Sequence, residues 1–408
     1  MKAILKQTSW LFFAQVLTRI VSFFYVIFLA RTLGVFDFGL YSVALAYFAI
    51  ISSFADFGFN RFLIREVARD KSKAPELLWN ITMLRLTLTS VLFAVFAAGL
   101  YILDPDKMRV SLILLATISI LPQAIAFTFD AVFVALQKLQ YSGLSLFISS
   151  LATAICGFLL VKAGFGAVGA VNAVILGQAV YAAVLVLILY KFQGLRLTSV
   201  TLAVIIKAIK GSLPYGVLGI LGLLYFRIDT IMLSYMKGSF ETGIYGAAYK
   251  FVEAMVFIPS ALSLALFPVM ARLHEHTPAK IKPLYINSLK IMGIFGLLIT
   301  LAYIIFLPVI IRVFLPNYLS SIDVIKILAL AIPFMFIHIP GAQILLSTDK
   351  YLKQILVLSV LTLSFNLVLN LIFIPKYGFI GASWTTVASE ALSFLVFFEL
   401  LRRKVFAR

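Results

Sequence analysis

Residues 225–253 read YFRIDTIMLSYMKGSFETGIYGAAYKFVE. Long apolar runs lie on both sides, so Arg227, Asp229, Lys250 and Glu253 fall at membrane depth around one short turn. A charge at the centre of a membrane helix costs at least about 2.5–3.5 kcal/mol on insertion scales, so such residues face a cavity or a partner and not lipid. Four ionisable groups placed this closely imply a polar chamber inside a membrane protein. The rest of the chain is read as the frame that holds it.

The composition agrees. The chain is 63% hydrophobic and only 12% charged, with a mean hydropathy of +1.09. Soluble domains are closer to half apolar and a quarter charged. The apolar excess recurs in blocks of about 20 residues, enough to cross a hydrocarbon core of about 30 Å. Twelve spans are predicted, at 10–30, 39–59, 77–103, 110–136, 141–161, 167–190, 211–236, 242–271, 284–311, 322–346, 353–374 and 379–400. The apolar run from Trp10 to Ala30 is too long for the core of a signal peptide and reads as a retained first helix.

The net charge of +18 reflects topology and not a nucleic-acid partner. Most of the basic residues fall in segments on one side, including Arg61, Arg65, Arg69, Lys71, Lys73, Lys207, Lys210, Lys280, Lys282, Arg402, Arg403 and Lys404. Basic residues collect in cytoplasmic loops, which puts both termini in the cytoplasm. Every connection is short, so no soluble catalytic domain fits between two spans. The lone Cys156 provides neither an intrachain disulfide nor a cysteine metal cluster.

Two halves are visible. Gly39-Leu40-Tyr41 opens a run similar to the one at Gly243-Ile244-Tyr245, with Arg19-Ile20 upstream of the first and Arg227-Ile228 upstream of the second. Gly166-Ala167-Val168-Gly169-Ala170 matches Gly378-Phe379-Ile380-Gly381-Ala382, which sets Gln178 opposite Glu390. The expected fold is an all-α polytopic membrane protein with about twelve transmembrane helices in two parallel six-helix bundles around a central cavity. The expected organisation is an N-terminal lobe at 1–190, a cytoplasmic amphipathic linker at 191–210 and a C-terminal lobe at 211–408.

Several stretches carry a family resemblance: Ala30–Tyr41 (ARTLGVFDFGLY), Asp56–Val67 (DFGFNRFLIREV), Arg227–Leu233 (RIDTIML), Gly243–Tyr245 with Lys250 and Glu253, and Tyr377–Ala382 (YGFIGA). Together they resemble the polysaccharide and lipid-linked oligosaccharide flippases of the multidrug/oligosaccharidyl-lipid/polysaccharide (MOP) exporter superfamily, over essentially the whole chain. Twelve spans resemble the O-antigen and repeat-unit translocases more than the fourteen-span peptidoglycan-precursor branch. The resemblance implies a MATE-like fold in a prokaryotic cytoplasmic membrane. It also implies a polyprenyl-diphosphate-linked glycan moved from the cytoplasmic to the outer leaflet by alternating access. Membrane lipids and the polymerase or glycosyltransferase machinery of the same pathway are the implied partners.

A diphosphate headgroup is anionic, and arginine meets phosphate oxygens through a planar fork. Arg19, Arg85, Arg227 and Lys250, at several depths, are the candidate headgroup ligands. Glu253, Asp229, Asp130 and Glu390 either neutralise those cations or bind a coupling ion, H+ or Na+. Lys250 and Glu253 are three apart and share a helix face. Tyr245, Tyr249 and Glu253 form one stripe suited to sugar contacts. Arg227 and Asp229, two apart, point to nearly opposite sides of a regular helix. Asp56 reads as a helix-end residue beside Arg61.

Other motifs are weaker. Gly164–Gly169 spells GxGxxG, but no βαβ unit surrounds it, so it reads as a tight turn. His274-Glu275-His276 lacks the spacing of a zinc site. His338, between Pro333 and Pro340, reads as a hydrogen-bonded helix kink in preference to a proton relay. No cofactor is expected, and the absence of a P-loop argues against direct ATP drive. The sequence therefore points to a flippase, with a multidrug or organic-cation antiporter of the same fold as the alternative. A membrane glycan polymerase or glycosyltransferase fits less well, because the only acidic external cluster is Asp104–Asp106.

Overall fold

The computed structural model describes residues 2–193, 198–276 and 280–406. The described residues form helices and no strand. This follows from the solvent: hydrocarbon offers no hydrogen-bond partner, so each backbone group must be satisfied inside its own segment. In chain order the helices of the first part are α1 (Lys2–Asp56), α2 (Phe59–Arg69), α3 (Ala74–Leu103), α4 (Lys107–Ile118), α5 (Ile120–Ala135), α6 (Leu139–Leu160) and α7 (Gly166–Gln193). They are followed by α8 (Leu202–Lys237), α9 (Ser239–Met255), α10 (Phe257–His276), α11 (Ile281–Phe314), α12 (Ser321–Ala329), α13 (Ile332–Leu346) and α14 (Leu352–Leu401).

Among the described residues, seven helical stretches are long and apolar enough to cross a bilayer, or eight if α12 and α13, bent by 44°, count as one. Three of the seven run to 45, 53 and 55 residues, more than twice the ~20 a span needs. Each of the three is interrupted by a glycine with non-helical dihedrals: Gly34, Gly164 and Gly378. Each is therefore a pair of spans. Adding the shorter, more polar pair α9 and α10 gives the twelve spans read from the sequence. Large apolar side chains such as Val95, Leu103, Leu187, Leu297, Phe306 and Val313 point outward, where lipid covers them. The protein is an all-α polytopic membrane protein.

Two segment limits differ from those read in the sequence. The second span stops at Asp56 and not at residue 59, because Phe57 (φ 42°) and Gly58 (φ 78°) form a left-handed turn that starts α2. Residues 202–210 are not a separate interfacial helix. They are the first turns of α8, which runs on through Pro214. Part of the stretch 191–210 (residues 194–197) and the side chains of His274, Glu275 and His276 lie outside the described residues.

The chain forms two compact units, one of residues 1–33 and 40–223, the other of residues 34–39 and 224–408. In the first, the amphipathic α2 buries Phe59, Phe62, Leu63 and Val67 against Leu77, Ile81, Phe129, Val132 and Phe133. The first turns of α8 pack on the same helix. A Cβ at Gly58 would strike the backbone of Gly216 and Ser212, and one at Gly211 would strike the Phe62 ring. Lys207 of α8 donates to Glu66 of α2 at 3.1 Å. These contacts explain why 202–223 belong to the first unit.

Internal duplication shows in the backbone. Gly34 has φ 75° and ψ 176°, and Gly238 has φ 85° and ψ 179°. Gly166 has φ 50° and ψ −138°, and Gly378 has φ 55° and ψ −132°. Such dihedrals are essentially restricted to glycine, and both pairs fall at equivalent places between spans. The fourth span of each half is also broken, at Ser119 between α4 and α5 and at Leu330–Ala331 between α12 and α13.

Residues 34–39 pack in the second unit against α9. A Cβ on Gly39 would meet the backbone oxygen of Ser239, and one on Gly243 would meet that of Val35. One sequence offset carries Gly34 to Gly238, Val35 to Ser239 and Gly39 to Gly243. The two contacts are therefore the same contact made in both directions. Ser321 Oγ closes the back of this packing by donating to Ile244 O at 2.7 Å.

Gly243→Ala should destabilise by about 1–3 kcal/mol, because the obstacle is backbone and cannot rotate away. Gly99→Ala, where a Cβ meets nothing within 4 Å, should be neutral or stabilising by up to ~1 kcal/mol. Thermal unfolding in detergent compares them, and equal melting points would remove the close-approach explanation.

Glu66 supplies a pH test. Burial alone would raise its carboxyl, but the Lys207 hydrogen bond and the charges of Lys207, Arg65 and Arg69 together hold it below the ordinary glutamate value. A depressed folded-state value stabilises above the unfolded one, and that stability is lost as pH falls through the folded value. Wild type should lose more stability than Glu66→Gln as pH drops below about 4.3. Parallel unfolding titrations would refute this.

Candidate functional site

The second unit brings the charges of the 225–253 stretch together in two groups. In the first, Arg227 of α8 donates through Nη2 to Glu253 Oε1 at 2.5 Å and through Nη1 to Oε2 at 3.3 Å. Lys250 Nζ donates to the same Oε2 at 2.9 Å. The three-residue spacing on α9 puts Lys250 and Glu253 side by side, as read from the sequence. The side chains of Arg227, Lys250 and Glu253 keep 19%, 27% and 34% of their surface exposed, so the group is accessible. Two cations meet one carboxylate, leaving a surplus positive charge. The Arg227 Nε also has no hydrogen-bond partner.

Asp229 lies on the other side of α8, as its two-residue separation from Arg227 requires. It is buried and takes no ion pair among the described residues. Its Oδ1 accepts from Asn370 Nδ2 at 2.6 Å, and its Oδ2 from Tyr245 Oη at 3.1 Å and Thr386 Oγ1 at 2.9 Å. Asn370 also donates to Asn366 Oδ1 at 3.0 Å, and Asn366 to Ser389 Oγ at 3.3 Å. The Asn370 Oδ1 is buried without a hydrogen-bond partner. Asp229 is thus a buried carboxylate satisfied by three donors, one amide N–H and two hydroxyls. A proton or small cation binding there would take the place of those donors on the carboxylate, with Asn366, Asn370 and Thr386 as the oxygen-bearing side chains around it.

The aromatic stripe divides. Tyr245 and Tyr249 stack at 5.5 Å with 27° between their planes, and both are buried. The Tyr245 hydroxyl is committed to Asp229 and Thr386. This arrangement does not offer the two rings to a sugar, contrary to the sequence expectation. They pack on the Asp229 side while Glu253, one turn on, swings to Arg227. Glu390 of α14 is fully buried, with Oε2 3.1 Å from His338 Nδ1.

The first unit places its charges differently. Arg85 is not presented to a headgroup: it is 1% exposed and tied to Asp56 by Nη2, to Asn60 at 3.0 Å and to Thr128 at 3.1 Å. Its guanidinium also lies over the Phe59 ring at 5.8 Å. Asp56 therefore partners Arg85 and not Arg61, because the left-handed turn after Asp56 redirects the chain. Arg61 instead covers the Tyr215 ring at 5.6 Å. Asp130 of α5 faces Ser142 and Tyr181 and keeps a buried Oδ1 without a hydrogen-bond partner. Arg19 is exposed on α1.

A family model described as polysaccharide biosynthesis protein matches residues 4–274, well over half of the chain. The protein belongs to that family. The MatE family model matches residues 214–372. No curated protein matches its sequence. Solved structures share the fold. An inward-facing multidrug resistance MATE transporter superposes with a TM-score of 0.72 at 16% identity, covering 94% of both chains. The lipid II flippase MurJ in an inward closed conformation gives a TM-score of 0.72 at 13% identity, covering 97% of this chain and 89% of that one. A superfamily transporter from Pyrococcus furiosus, described as having a binding pocket of reversed polarity, gives 0.67 at 16% identity over 100% and 96%.

The amides of Asn366 and Asn370 are not among the candidate residues named from the sequence. Asn366 and Asn370 stand four apart in the apolar run SFNLVLNLIF, and that spacing on a membrane helix was itself a signal for a shared polar face. Thr386 carried no comparable signal, since threonine is common in such helices.

Asp56→Asn should cost about 3–5 kcal/mol by leaving the Arg85 charge buried without its partner. Adding Arg85→Met should recover much of it. A double-mutant cycle on thermal unfolding checks this, and simple additivity would show that the two side chains do not interact.

Proposed function

We propose that this protein is a flippase for a polyprenyl-diphosphate-linked oligosaccharide. It carries a polysaccharide or O-antigen repeat unit from the cytoplasmic to the outer leaflet of a prokaryotic cytoplasmic membrane, with both termini inside. The observation that carries this reading is the surplus positive charge of Arg227, Lys250 and Glu253 at membrane depth. A diphosphate supplies the missing anion. It displaces or joins Glu253 as acceptor for the arginine fork and the lysine ammonium, each charge-assisted hydrogen bond contributing about 1.5–3 kcal/mol. The buried Asp229 carboxylate, which has no cation beside it, supports ion-driven alternating access, with H+ or Na+ bound there in one state and released in the other. The wider pathway's polymerase and glycosyltransferases are the natural partners.

The rival is an organic-cation antiporter, favoured by the buried acid at Asp229 and by the MATE structures of the same fold. Arg227→Ala and Lys250→Ala should each lower lipid-linked glycan translocation at least tenfold while the protein still inserts and folds, measured by flipping in proteoliposomes or by surface glycan in cells. Asp229→Asn should abolish ion dependence. Robust ethidium efflux with normal surface glycan in both cation variants would overturn the flippase reading and support the antiporter.

A further inference from the structure

Glu390 and His338 take part in neither group described above. The Glu390 side chain is 0% exposed, and neither of its oxygens accepts a hydrogen bond. Its charged or titratable neighbours come from three helices. His338 of α13 approaches to 3.1 Å. Tyr225 of α8, which shares a 3.4 Å contact with Ser393, turns its hydroxyl to the carboxyl. Tyr249 of α9 lies within electrostatic range. Asp229 sits beyond Tyr225 on α8 and is saturated by Asn370, Thr386 and Tyr245. Arg227 and Lys250 are taken by Glu253, and no lysine or arginine pairs with Glu390 among the described residues.

The chemistry of the pair is constrained by its surroundings. His338 Nδ1 is 3.2 Å from the Phe334 carbonyl as well as 3.1 Å from Glu390. The Phe334 carbonyl and an ionised Glu390 both only accept, so Nδ1 carries a hydrogen whenever the carboxyl is ionised. The exchangeable proton then belongs to Nε2 or to the Glu390 carboxyl. A buried carboxylate with no cation, and with only the poorly aligned His338 N–H and Tyr225 O–H beside it, is disfavoured. The pair therefore carries one proton, giving either a neutral acid beside a neutral imidazole or a carboxylate beside an imidazolium. Release breaks the O–H or Nε2–H bond, passes the proton to water and leaves one negative charge in an apolar interior. That state is relieved only when water reaches the carboxylate. The helix is prepared for this: Pro340, two residues after His338, has no N–H for the Phe336 carbonyl and loosens the turn that carries the imidazole.

We propose that His338 and Glu390 form a proton-binding site separate from the Asp229 group, whose proton holds α13 against α14 and whose release opens the Pro340 turn to water. The site stands whether or not the cargo is a lipid-linked glycan, because the test reads protonation and opening and not transport.

The full chain in lipid nanodiscs is titrated between about pH 5 and 8 by infrared difference spectroscopy. A buried protonated-carboxyl band should disappear as pH rises, be absent from Glu390→Gln and persist in Asp229→Asn. Hydrogen exchange over residues 332–346, corrected for the intrinsic rate, should increase at least tenfold over the same range in wild type and not in Glu390→Gln. Should that variant misfold, the chain is labelled with ring-15N histidine after His274→Gln and His276→Gln, leaving His338 alone. Its resonance must titrate in step with the infrared band. No titrating carboxyl band, a band retained in Glu390→Gln, pH-indifferent protection or a flat His338 resonance would each overturn the proposal.

Discussion

Glu253 is shared by two cations, and much of the second unit follows from that sharing. Arg227 reaches it from α8 and Lys250 from one turn earlier on α9, so the carboxylate fixes the two helices relative to each other across the Gly238 turn. Without it, two positive groups would face each other in a medium that screens poorly. With it, one positive charge is left over and held in place. On the opposite face of α8, Asp229 has no cation and is satisfied by hydroxyl and amide groups alone. A single helix thus separates an electropositive group from a lone anion. Two residues of sequence suffice because successive positions on a helix point about 100° apart.

The first unit applies similar residues to a different end. Arg85 and Asp56 are packed among Asn60, Thr128 and Phe59, so their charges cancel and the guanidinium itself is buried. An arginine at membrane depth is thus not sufficient evidence of a binding site. What separates Arg227 from Arg85 is the ratio of cations to anions and the exposed surface left on the group.

Much of the architecture was legible from the sequence because hydrophobic length is a one-dimensional property. Twelve apolar blocks, the duplicated Gly-aliphatic-Tyr starts and the facing of Lys250 with Glu253 all depend on spacing along one helix. The glycines at 166 and 378 matched as letters and turned out to share dihedral angles. The remaining contacts depend on which helices meet, and spacing cannot supply that. Asp56 met Arg85, 29 positions away in sequence, instead of the nearer Arg61. Tyr245 stood on the predicted stripe but faced inward, because Asp229 of α8 and Asn370 and Thr386, from the two arms of α14, converge there. The turn at Phe57 was invisible for another reason, since a phenylalanine at positive φ has no compositional mark.

The surplus charge beside Glu253 also has an electrical consequence. Each elementary charge carried across the whole membrane field changes the energy by about 2.3 kcal/mol per 100 mV. The Arg227–Lys250–Glu253 group bears such a charge, whereas the neutralised Arg85–Asp56 pair bears none. Moving that group along the membrane normal is therefore work done with or against the membrane voltage, and Asp229, carried on the same helix, offsets it when ionised. A bound diphosphate, with more than one negative charge, reverses the sign of the group's own contribution. The group and whatever occupies it are thus an electrical element as well as a chemical one.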